Sequence, residues 1–338
     1  MKVLKILGIA ILILVALIII VGLVVPKDYH VERTINISAS KEQVFNHVKY
    51  WRNWQAWSPW AAQDSLMRVT IEGTDGEVGS KYIWVGDPEL TGKGEMTNTG
   101  IKTYEEIAYH LHFLEPWESE SDGYVRLIEV DEGVTQVAWG FQGEMPFPWN
   151  IIMLFMSMES MIGNDFDRGL GLLKNIIEQE KAAIESYKIQ KIIFPAKNYA
   201  GIRDMVAFSG MQSFFQNSFS TLQQEIKKKN LRIIGAPAGI YFSWDEQNMN
   251  TDMAAAFPIR GSLSGGSVQM VHVPAQTAYL IDYFGDYESL GYAHQALDLY
   301  LTGNGLRQKS PVIEEYITDP ISEPDTSKWL TKIYYFAE

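Results

Sequence analysis

The 338-residue sequence contains no cysteine. A lipid attached to cysteine therefore cannot fix this chain to a membrane, and the absence itself fits reducing and oxidising compartments alike. The sequence also shows no Ser-His-Asp constellation and no nucleophile elbow. We predict no catalytic residue, no cofactor and no bound metal, and the sequence favours a protein that is not an enzyme.

Basic residues are scarce in the first half of the chain. Residues 28–185 hold 12 Lys and Arg against 26 Asp and Glu, which gives this segment a net charge of −14. A segment of that charge repels the phosphate backbone of DNA and RNA. We therefore predict no nucleic-acid partner.

Residues 6–25 contain no charged or hydrogen-bonding side chain, and 16 of these 20 residues are Ile, Leu or Val. A 20-residue helix at about 1.5 Å per residue spans roughly 30 Å, the thickness of the hydrocarbon core of a bilayer. Insertion at roughly 0.3 to 0.6 kcal/mol per apolar residue is favourable by about 5 to 10 kcal/mol. No small-residue cleavage pattern follows, so we predict a single-pass membrane anchor over residues 1–27 rather than a cleaved signal peptide.

The charges that flank the anchor indicate its orientation only through a small bias. Lys2 and Lys5 precede it, whereas Lys27 and Arg33 follow it among acidic residues. Since Lys and Arg accumulate on the cytoplasmic side, we expect the N-terminus inside. The soluble part is then periplasmic, or extracytoplasmic in general.

About 310 residues follow the anchor, which is enough for two domains. In the first, residues 28–182, an alternating strand at 29–37 precedes a helix that Ser38 or Ser40 can cap. A helix at 158–183 closes this domain. The strand-like runs between them lie near 66–73, 80–86, 91–99, 106–114, 123–130 and 134–143. This order of elements predicts an α+β fold.

The order of elements and the run ISASKEQVFNHVKYWRNWQAWSPW at residues 37–60 resemble the START-like superfamily SRPBCC, in particular its polyketide-cyclase-like branch. The resemblance implies a helix-grip fold, in which a curved sheet grips a long helix around an apolar cavity that binds a hydrophobic molecule. Trp51, Trp54, Trp57 and Trp60 either pack the connection from helix to sheet or form an aromatic lip at the mouth of such a cavity.

His110 and His112 lie two apart on a predicted strand and therefore face the same side. No further ligand motif accompanies them, so they do not indicate a metal site. An acidic cluster follows, which we expect to be solvated charge in a hairpin connection. Its members are Glu115, Glu118, Glu120 and Asp122.

Residues 186–338 contain an internal repeat with an offset of 75, in which Ile240-Tyr241 aligns with Glu315-Tyr316. Each copy reads as strand, helix, strand and strand. The first copy has elements near 187–193 and 206–229, a strand ending near Tyr241, and a strand at 254–260. The second has elements near 267–284 and 288–303, a strand ending near Tyr316, and a strand at 329–336. Two such units predict one sheet with a cleft on a pseudo-two-fold axis.

Three runs of this segment resemble the GyrI-like effector-binding domain, the ligand module of several multidrug-responsive transcription regulators. They are HVPAQTAYLIDYFGDYESLGYAHQALDLYLTGNGL at 272–306, PVIEEYITDP at 311–320 and GAPAGIYFSW at 235–244. In that family the Glu two residues before the Tyr is the ligand-binding carboxylate at the base of the cleft. The resemblance places this role on Glu314.

The residues themselves agree with that role. On a strand Glu314 and Glu315 face opposite sides, so one can point into a cleft while the other is solvated, although both could lie on an exposed surface. Glu314 shares its side with Tyr316, and a carboxylate beside aromatic rings suits an organic cation. Gly239 is the equivalent of Glu314 in the first copy, so that half offers no matching acid. The candidate walls of the cleft are Tyr241, Trp244, Tyr283, Phe284 and Tyr287.

Together these patterns predict a membrane-anchored protein that binds a hydrophobic or cationic amphipathic small molecule for sensing or sequestration. The anchor and the acidic first domain occupy the position of the DNA-binding segment in the GyrI-like regulators, which argues against transcriptional control. Two alternatives stay open: a hydrolase of reactive natural products that uses Glu314 and Tyr316, and an envelope interaction protein without a ligand.

Overall fold

The computed structural model describes residues 2–246, 248–261, 268–318 and 322–338. The chain divides into two compact units, Met1–Lys181 and Ala182–Glu338, each with its own sheet and apolar core. Asp319 and Pro320, which end the run PVIEEYITDP, lie outside the described residues.

The first unit begins with helix α1, Lys2–Val24. Among the described residues this is the one helix that is long and apolar enough to cross a membrane, over Ile6–Val24, where the mean hydropathy is 3.4. By length and composition the helix fits a membrane anchor and a signal sequence alike.

A seven-stranded antiparallel sheet follows, in the order β1-β7-β6-β5-β4-β3-β2. Its strands lie within a few residues of those predicted from the alternation of apolar side chains, and the mixed α and β content agrees with the expected fold class. The strands are β1 (Asp28–Ile37), β2 (Arg68–Glu72), β3 (Lys81–Val85), β4 (Lys93–Lys102), β5 (Glu106–Glu115), β6 (Ser119–Asp131) and β7 (Val134–Glu144).

Three short helices connect β1 to β2, and one long helix closes the unit. They are α2 (Lys41–Lys49), α3 (Trp51–Trp57), α4 (Pro59–Gln63) and α5 (Met158–Ser186), with a 3-10 turn at Trp149–Leu154 before α5. Ser40, rather than Ser38, caps α2, because its side chain accepts from Gln43 N while the Gln43 side chain accepts from Ser40 N. Buried residues of α5 share one core with the sheet, among them Phe166, Leu170, Leu173 and Ile177. The START-like assignment of this unit stays a prediction.

The acidic cluster lies differently from the expected hairpin connection. Glu120 and Asp122 belong to β6, where they pair in register with His112 and His110 of β5. His110 Nδ1 lies 2.9 Å from Asp122 Oδ1. Strand β6 therefore begins inside the acidic cluster, before the start of the strand that the sequence predicted near 123–130. No group of three or more potential metal-ligating side chains lies together in the described part of the chain.

The second unit is built on a nine-stranded antiparallel sheet in the order β13-β9-β12-β11-β15-β16-β14-β8, with β10 paired to β12. Its first half contains β8 (Gln190–Phe194), β9 (Lys197–Ala207), α6 (Met211–Lys228), β10 (Arg232–Ile233), β11 (Ala238–Asp245) and β12 (Asn250–Arg260). Its second half contains β13 (Gln269–Val273), β14 (Gln276–Phe284), α7 (Leu290–Gly303), β15 (Gln308–Tyr316) and β16 (Leu330–Ala337).

Each half of this unit has two strands before its helix, where the sequence indicated only one. Pro195 separates β8 from β9, and Pro274 separates β13 from β14. Proline lacks the amide hydrogen that would continue the ladder, so each proline ends a strand and starts a turn. Strand β9 was missed because charged residues such as Arg203 and Asp204 interrupt its alternation.

Both helices of the second unit pack on one face of the sheet. Phe257 and Ile259 lie beneath α6, and Ile281 and Ile333 lie beneath α7. The opposite face forms a separate core to which the two edge strands both contribute, through Phe194 of β8 and other residues including Val273 of β13. The sheet therefore curls far enough to bury apolar side chains on the face that carries no helix.

Candidate ligand site in the second unit

The site lies at the centre of the nine-stranded sheet, on the face that carries α6 and α7. Strands β11 and β15 pair there, and Gly239 lies directly opposite Glu314. These two residues are equivalent under the 75-residue repeat. The pseudo-two-fold axis of the two halves therefore passes between them.

Glu314 is a buried carboxylate with three hydrogen-bonding neighbours. It is 6% exposed. Tyr316 Oη donates to its Oε2 atom at 2.7 Å, and Tyr241 Oη donates to the same atom at 3.1 Å. His294 Nε2 lies 2.8 Å from Oε1. Buried charge is tolerated only where such partners replace water, and here both carboxylate oxygens have them.

The two tyrosines act as donors because their environment keeps them protonated. Burial raises the pKa of Tyr241 well above its ordinary value, and the nearby negative charge of Glu314 raises it further. Burial and then Glu314 raise the pKa of Tyr316 in the same way. A phenol whose pKa is raised stays protonated and offers its hydrogen to the carboxylate throughout the neutral range.

The two helices contribute different side chains to this centre. His294, the fifth residue of α7, places its Nε2 atom 2.8 Å from Glu314 Oε1 and its Nδ1 atom 3.1 Å from Tyr335 Oη. Phe215, the fifth residue of α6, places its ring edge-on to Tyr316 with a centroid distance of 5.7 Å. Equivalent positions on the two helices thus hold a polar and an apolar side chain.

Gly239 leaves the space that the tyrosine rings occupy. A Cβ atom at this position would lie 2.8 Å from Tyr316 Oη and 3.0 Å from both Phe215 Cζ and Tyr241 Cε2. Real Cβ atoms are rarely found so close to other atoms. Any side chain at Gly239 would therefore displace the rings that surround Glu314.

Four of the aromatic residues expected at the cleft lie around this centre. Tyr241 and Tyr316 contact Glu314 directly. The Trp244 ring lies 6.1 Å from the Tyr241 ring, and the Tyr287 ring lies 5.5 Å from the Tyr316 ring.

Tyr283 and Phe284 lie elsewhere in the unit. Tyr283 is 3% exposed in the core beneath α7 and donates its hydroxyl to Asp286 O at 2.6 Å. Phe284 is 61% exposed, and by alternation it faces the opposite side of β14. Strand β16 separates β14 from β15. At about 4.8 Å per strand spacing, β14 therefore lies roughly 10 Å from the strand of Glu314.

Glu315 is buried, which contradicts the expectation that it is solvated. It is 6% exposed on the opposite face of the sheet. There it pairs with Lys197 and accepts from Tyr199 Oη at 3.2 Å and from Tyr334 Oη at 3.0 Å. The expectation was wrong because the sheet curls and covers the face that has no helix.

The first unit holds a separate cavity of about 300 Å³. Among its lining residues are Trp54, Trp60, Trp84, Tyr109, Trp139 and Phe166. Trp51 and Trp57 are buried and do not line it. The two interpretations of the tryptophan run therefore divide between its members: Trp51 and Trp57 only pack the core, whereas Trp54 and Trp60 also face the cavity.

Residues 187–335, which lie in the second unit, match the family model described as the GyrI-like small molecule binding domain. Among solved structures, the EcmrR C-terminal domain is similar, with 21% identity over 45% of this chain and 98% of that chain, and a TM-score of 0.41. EcmrR in a complex with DNA shows 17% identity over 62% of this chain and 88% of that one, with a TM-score of 0.41. A hydrolase from Listeria innocua shows 12% identity over 48% and 98%, with a TM-score of 0.33. No curated protein matches the sequence.

Proposed function

We propose that this chain is a membrane-anchored small-molecule-binding protein whose second unit binds an amphipathic organic cation at Glu314. The observation that carries the proposal is a buried carboxylate at the centre of the sheet, between two helices and beside aromatic rings. The match of residues 187–335 to a small-molecule-binding family supports binding in this unit.

Glu314 has the capacity to accept one more partner. An ionised carboxylate offers about four acceptor positions. Tyr241, Tyr316 and His294 use three of them. An ammonium or similar group at the fourth position gains a charge-assisted hydrogen bond, and nearby ring faces add cation–π attraction.

The cavity of the first unit supports the second part of the proposal, a hydrophobic ligand in a START-like domain. Its aromatic lining and its volume of about 300 Å³ suit an uncharged apolar molecule. Helix α1 would hold both ligand sites at the membrane surface, on the periplasmic side by the flanking charges. The role is then capture or sensing of amphipathic compounds rather than control of a gene, since residues 28–185 carry a net charge of −14.

Hydrolysis is the second function that a specific observation favours. His294, Glu314 and Tyr316 form one connected hydrogen-bonded chain. These residue types can transfer protons to and from a reacting group. In that case Glu314 would take a proton from the attacking water while Tyr316 gives its proton to the leaving group, and the proton on Glu314 would then return to Tyr316 through the hydrogen bond between them.

The binding proposal is tested by titrating tetraphenylphosphonium into the full-length protein and into the Glu314→Gln variant by calorimetry. Removal of the charge should weaken binding at least tenfold, because this cation has no hydrogen-bond donor and is held by Coulomb attraction, which at about 5 Å and an effective dielectric constant near 20 is worth roughly 3 kcal/mol. Glu288→Gln, an identical change at an exposed residue of the same unit, should leave the affinity unchanged. If both variants bind as the wild type does, Glu314 is not the site.

The same variant separates a binder from a hydrolase. If the protein is a hydrolase of electrophilic esters or epoxides, Glu314→Gln should abolish turnover while substrate binding persists. Mass spectrometry of small molecules that co-purify with the detergent-extracted protein would identify the ligand class. A preparation that carries no small molecule and binds none would favour the envelope interaction protein.

A further inference from the structure

Residues 145–158 contain no charged side chain. Within them the apolar segment, which we define as Pro146–Met156, exposes most of its large side chains to solvent. Phe155 is 83% exposed and Trp149 is 64% exposed. The other exposed apolar side chains of this segment are Phe147, Ile152, Leu154 and Met156. Contiguous apolar surface of this kind is uncommon on a soluble protein and marks an interaction site.

The apolar segment is attached to the C-terminal end of α1. Asn150 Nδ2 donates to Gly22 O at 2.7 Å and to Val25 O at 3.0 Å, so its amide binds carbonyls that have no partner within the helix. The Phe147 ring packs against Gly22, where a Cβ atom would lie 2.6 Å from Phe147 Cδ2. The segment therefore lies at the level where an inserted α1 would leave the bilayer.

Another exposed aromatic residue lies at the same end of the seven-stranded sheet. Strand β1 starts where β7 ends, with Asp28 paired to Glu144. Strand β6 starts at this end too, because Ser121 pairs with Gly143. The turn between β5 and β6 therefore also lies there, and it carries Trp117, which is 82% exposed.

We propose that the apolar segment Pro146–Met156 inserts into the lipid–water interface beside the end of α1 and forms a second membrane contact. This inference rests on the proposed role of α1 as a membrane anchor. Tryptophan prefers the headgroup level of a bilayer, and a short 3-10 turn with exposed apolar side chains can enter that layer without crossing the hydrocarbon core. The contact turns this end of the first unit toward the bilayer.

The charges around the apolar segment specify the kind of lipid surface. Asp28, Glu118, Glu120 and Glu144 lie at this end of the sheet, whereas Glu159 is paired with Arg33. Lys27 lies there as well, since its carbonyl accepts from Met145 N at 2.8 Å, so acidic residues outnumber it and the local charge is negative. An anionic surface would repel these acidic residues, whereas a zwitterionic surface would not. The apolar contact is therefore expected on phosphatidylcholine or phosphatidylethanolamine, without any need for anionic lipid.

The experiment uses the absence of native cysteine, because one introduced cysteine then carries one nitroxide label. Full-length Phe155→Cys is labelled in vesicles of phosphatidylcholine and phosphatidylethanolamine, and the accessibility of the label to oxygen and to a water-soluble nickel complex is measured by power-saturation EPR. Phe155 is so exposed that its replacement leaves the core intact. Trp149→Cys provides a second reading of the same segment.

Two control labels separate this inference from the proposed anchor. Ile13→Cys, in the middle of α1, reports insertion of the helix, and Ile193→Cys, exposed on β8, reports the aqueous phase. We expect the labels at positions 149 and 155 to be several-fold more accessible to oxygen than to the nickel complex, as an interfacial label is. The label at position 13 should lie deeper in the bilayer, and the label at position 193 should be in water. If the labels at positions 149 and 155 are in water while the label at position 13 is in the bilayer, the inference is wrong and the proposed anchor is supported.

The remaining outcomes also decide the question. A label at 155 that is shielded from both reagents would mean that protein covers the segment, from a second copy or from elsewhere in this chain, and would overturn the inference. A label at 13 that is aqueous would overturn the anchor itself and the inference with it.

Discussion

The two halves of the second unit share one order of elements but contribute different chemistry to the site between them. At the paired positions on the central strands, the first half has Gly239 and the second has Glu314. At the fifth position of the helices, the first half has Phe215 and the second has His294. One half thus provides space and apolar surface, and the other provides the charge and its hydrogen-bonding partner.

This difference shows how a repeated fold can suit a single cationic ligand. Two equivalent carboxylates on the axis would repel each other at a short distance in a buried place. With glycine on one side, only one carboxylate is buried on this face of the sheet, and the rings of Tyr241 and Tyr316 occupy the space beside Gly239. Under the proposed function, this asymmetry of residues on a symmetric backbone would give a cationic ligand one orientation.

The largest expected effect comes from making the two halves alike. Gly239→Glu places a second carboxylate opposite Glu314 and forces its Cβ atom against Tyr316 and Phe215. The overpacking and the unpaired charge should together lower the free energy of unfolding by about 3 kcal/mol or more. Thermal unfolding should show a loss of at least roughly 6 °C. Gly291→Glu, at a helix position with open space around it, should change the melting temperature little.

The second-largest expected effect is a loss of stability in Glu315→Gln, which distinguishes the two faces of β15. Glu315→Gln leaves Lys197 without its ion pair on the face opposite the site. Because Lys197 is partly exposed, the expected loss of unfolding free energy is only about 1 to 3 kcal/mol. The affinity for tetraphenylphosphonium should be unchanged. A variant that is as stable as the wild type but binds the cation weakly would place the ligand carboxylate on Glu315 instead.

The third effect concerns the tyrosine that donates to Glu314 from the second half. The folded protein raises the pKa of Tyr316, so the stability linked to its protonated form is present below the unfolded pKa near 10 and is lost as the pH rises above it. Urea unfolding at a series of pH values above 10 should show a slope that is smaller by up to about 1.4 kcal/mol per pH unit in Tyr316→Phe. Equal slopes in the two proteins would mean that Tyr316 ionises freely in the folded state.

The smallest effect tests the apolar contribution of the first half. Phe215→Leu removes the perpendicular ring contact that positions Tyr316 and should weaken cation binding about two- to fivefold, as expected for the loss of about 0.5 to 1 kcal/mol of aromatic interaction. Phe284→Leu, on the exposed side of β14, should leave the affinity unchanged. A loss of affinity in Phe284→Leu with no loss in Phe215→Leu would mean that Phe284 lines the site and that Phe215 does not contribute to it.

Strand alternation and the internal repeat together predicted the centre of this site. Alternation placed Glu314 and Tyr316 on one side, and the repeat aligned Tyr241 with Tyr316 and Gly239 with Glu314. These inferences need only local periodicity and one alignment. They locate these four residues correctly because both residues of each pair lie on strands that touch at the axis, and the role of these residues in binding stays a prediction.

Other features depended on long-range structure that periodicity does not contain. The burial of Glu315 follows from the curl of the sheet, and the separation of Phe284 from the site follows from the strand order. His294 and Phe215 were missed, although the repeat held a signal for them. An alignment that begins at the first residue of each helix has an offset of 79 rather than 75, and it pairs Phe215 with His294.

The most direct measurement compares a cation with a neutral molecule of similar shape. Dissociation constants for tetraphenylphosphonium and for uncharged triphenylphosphine oxide are measured on the wild-type protein and on Glu314→Gln. The wild type should prefer the cation, and Glu314→Gln should lose at least tenfold in affinity for the cation but less than twofold for the neutral compound. An equal loss for both compounds, or none for either, would contradict a role of the Glu314 charge in binding.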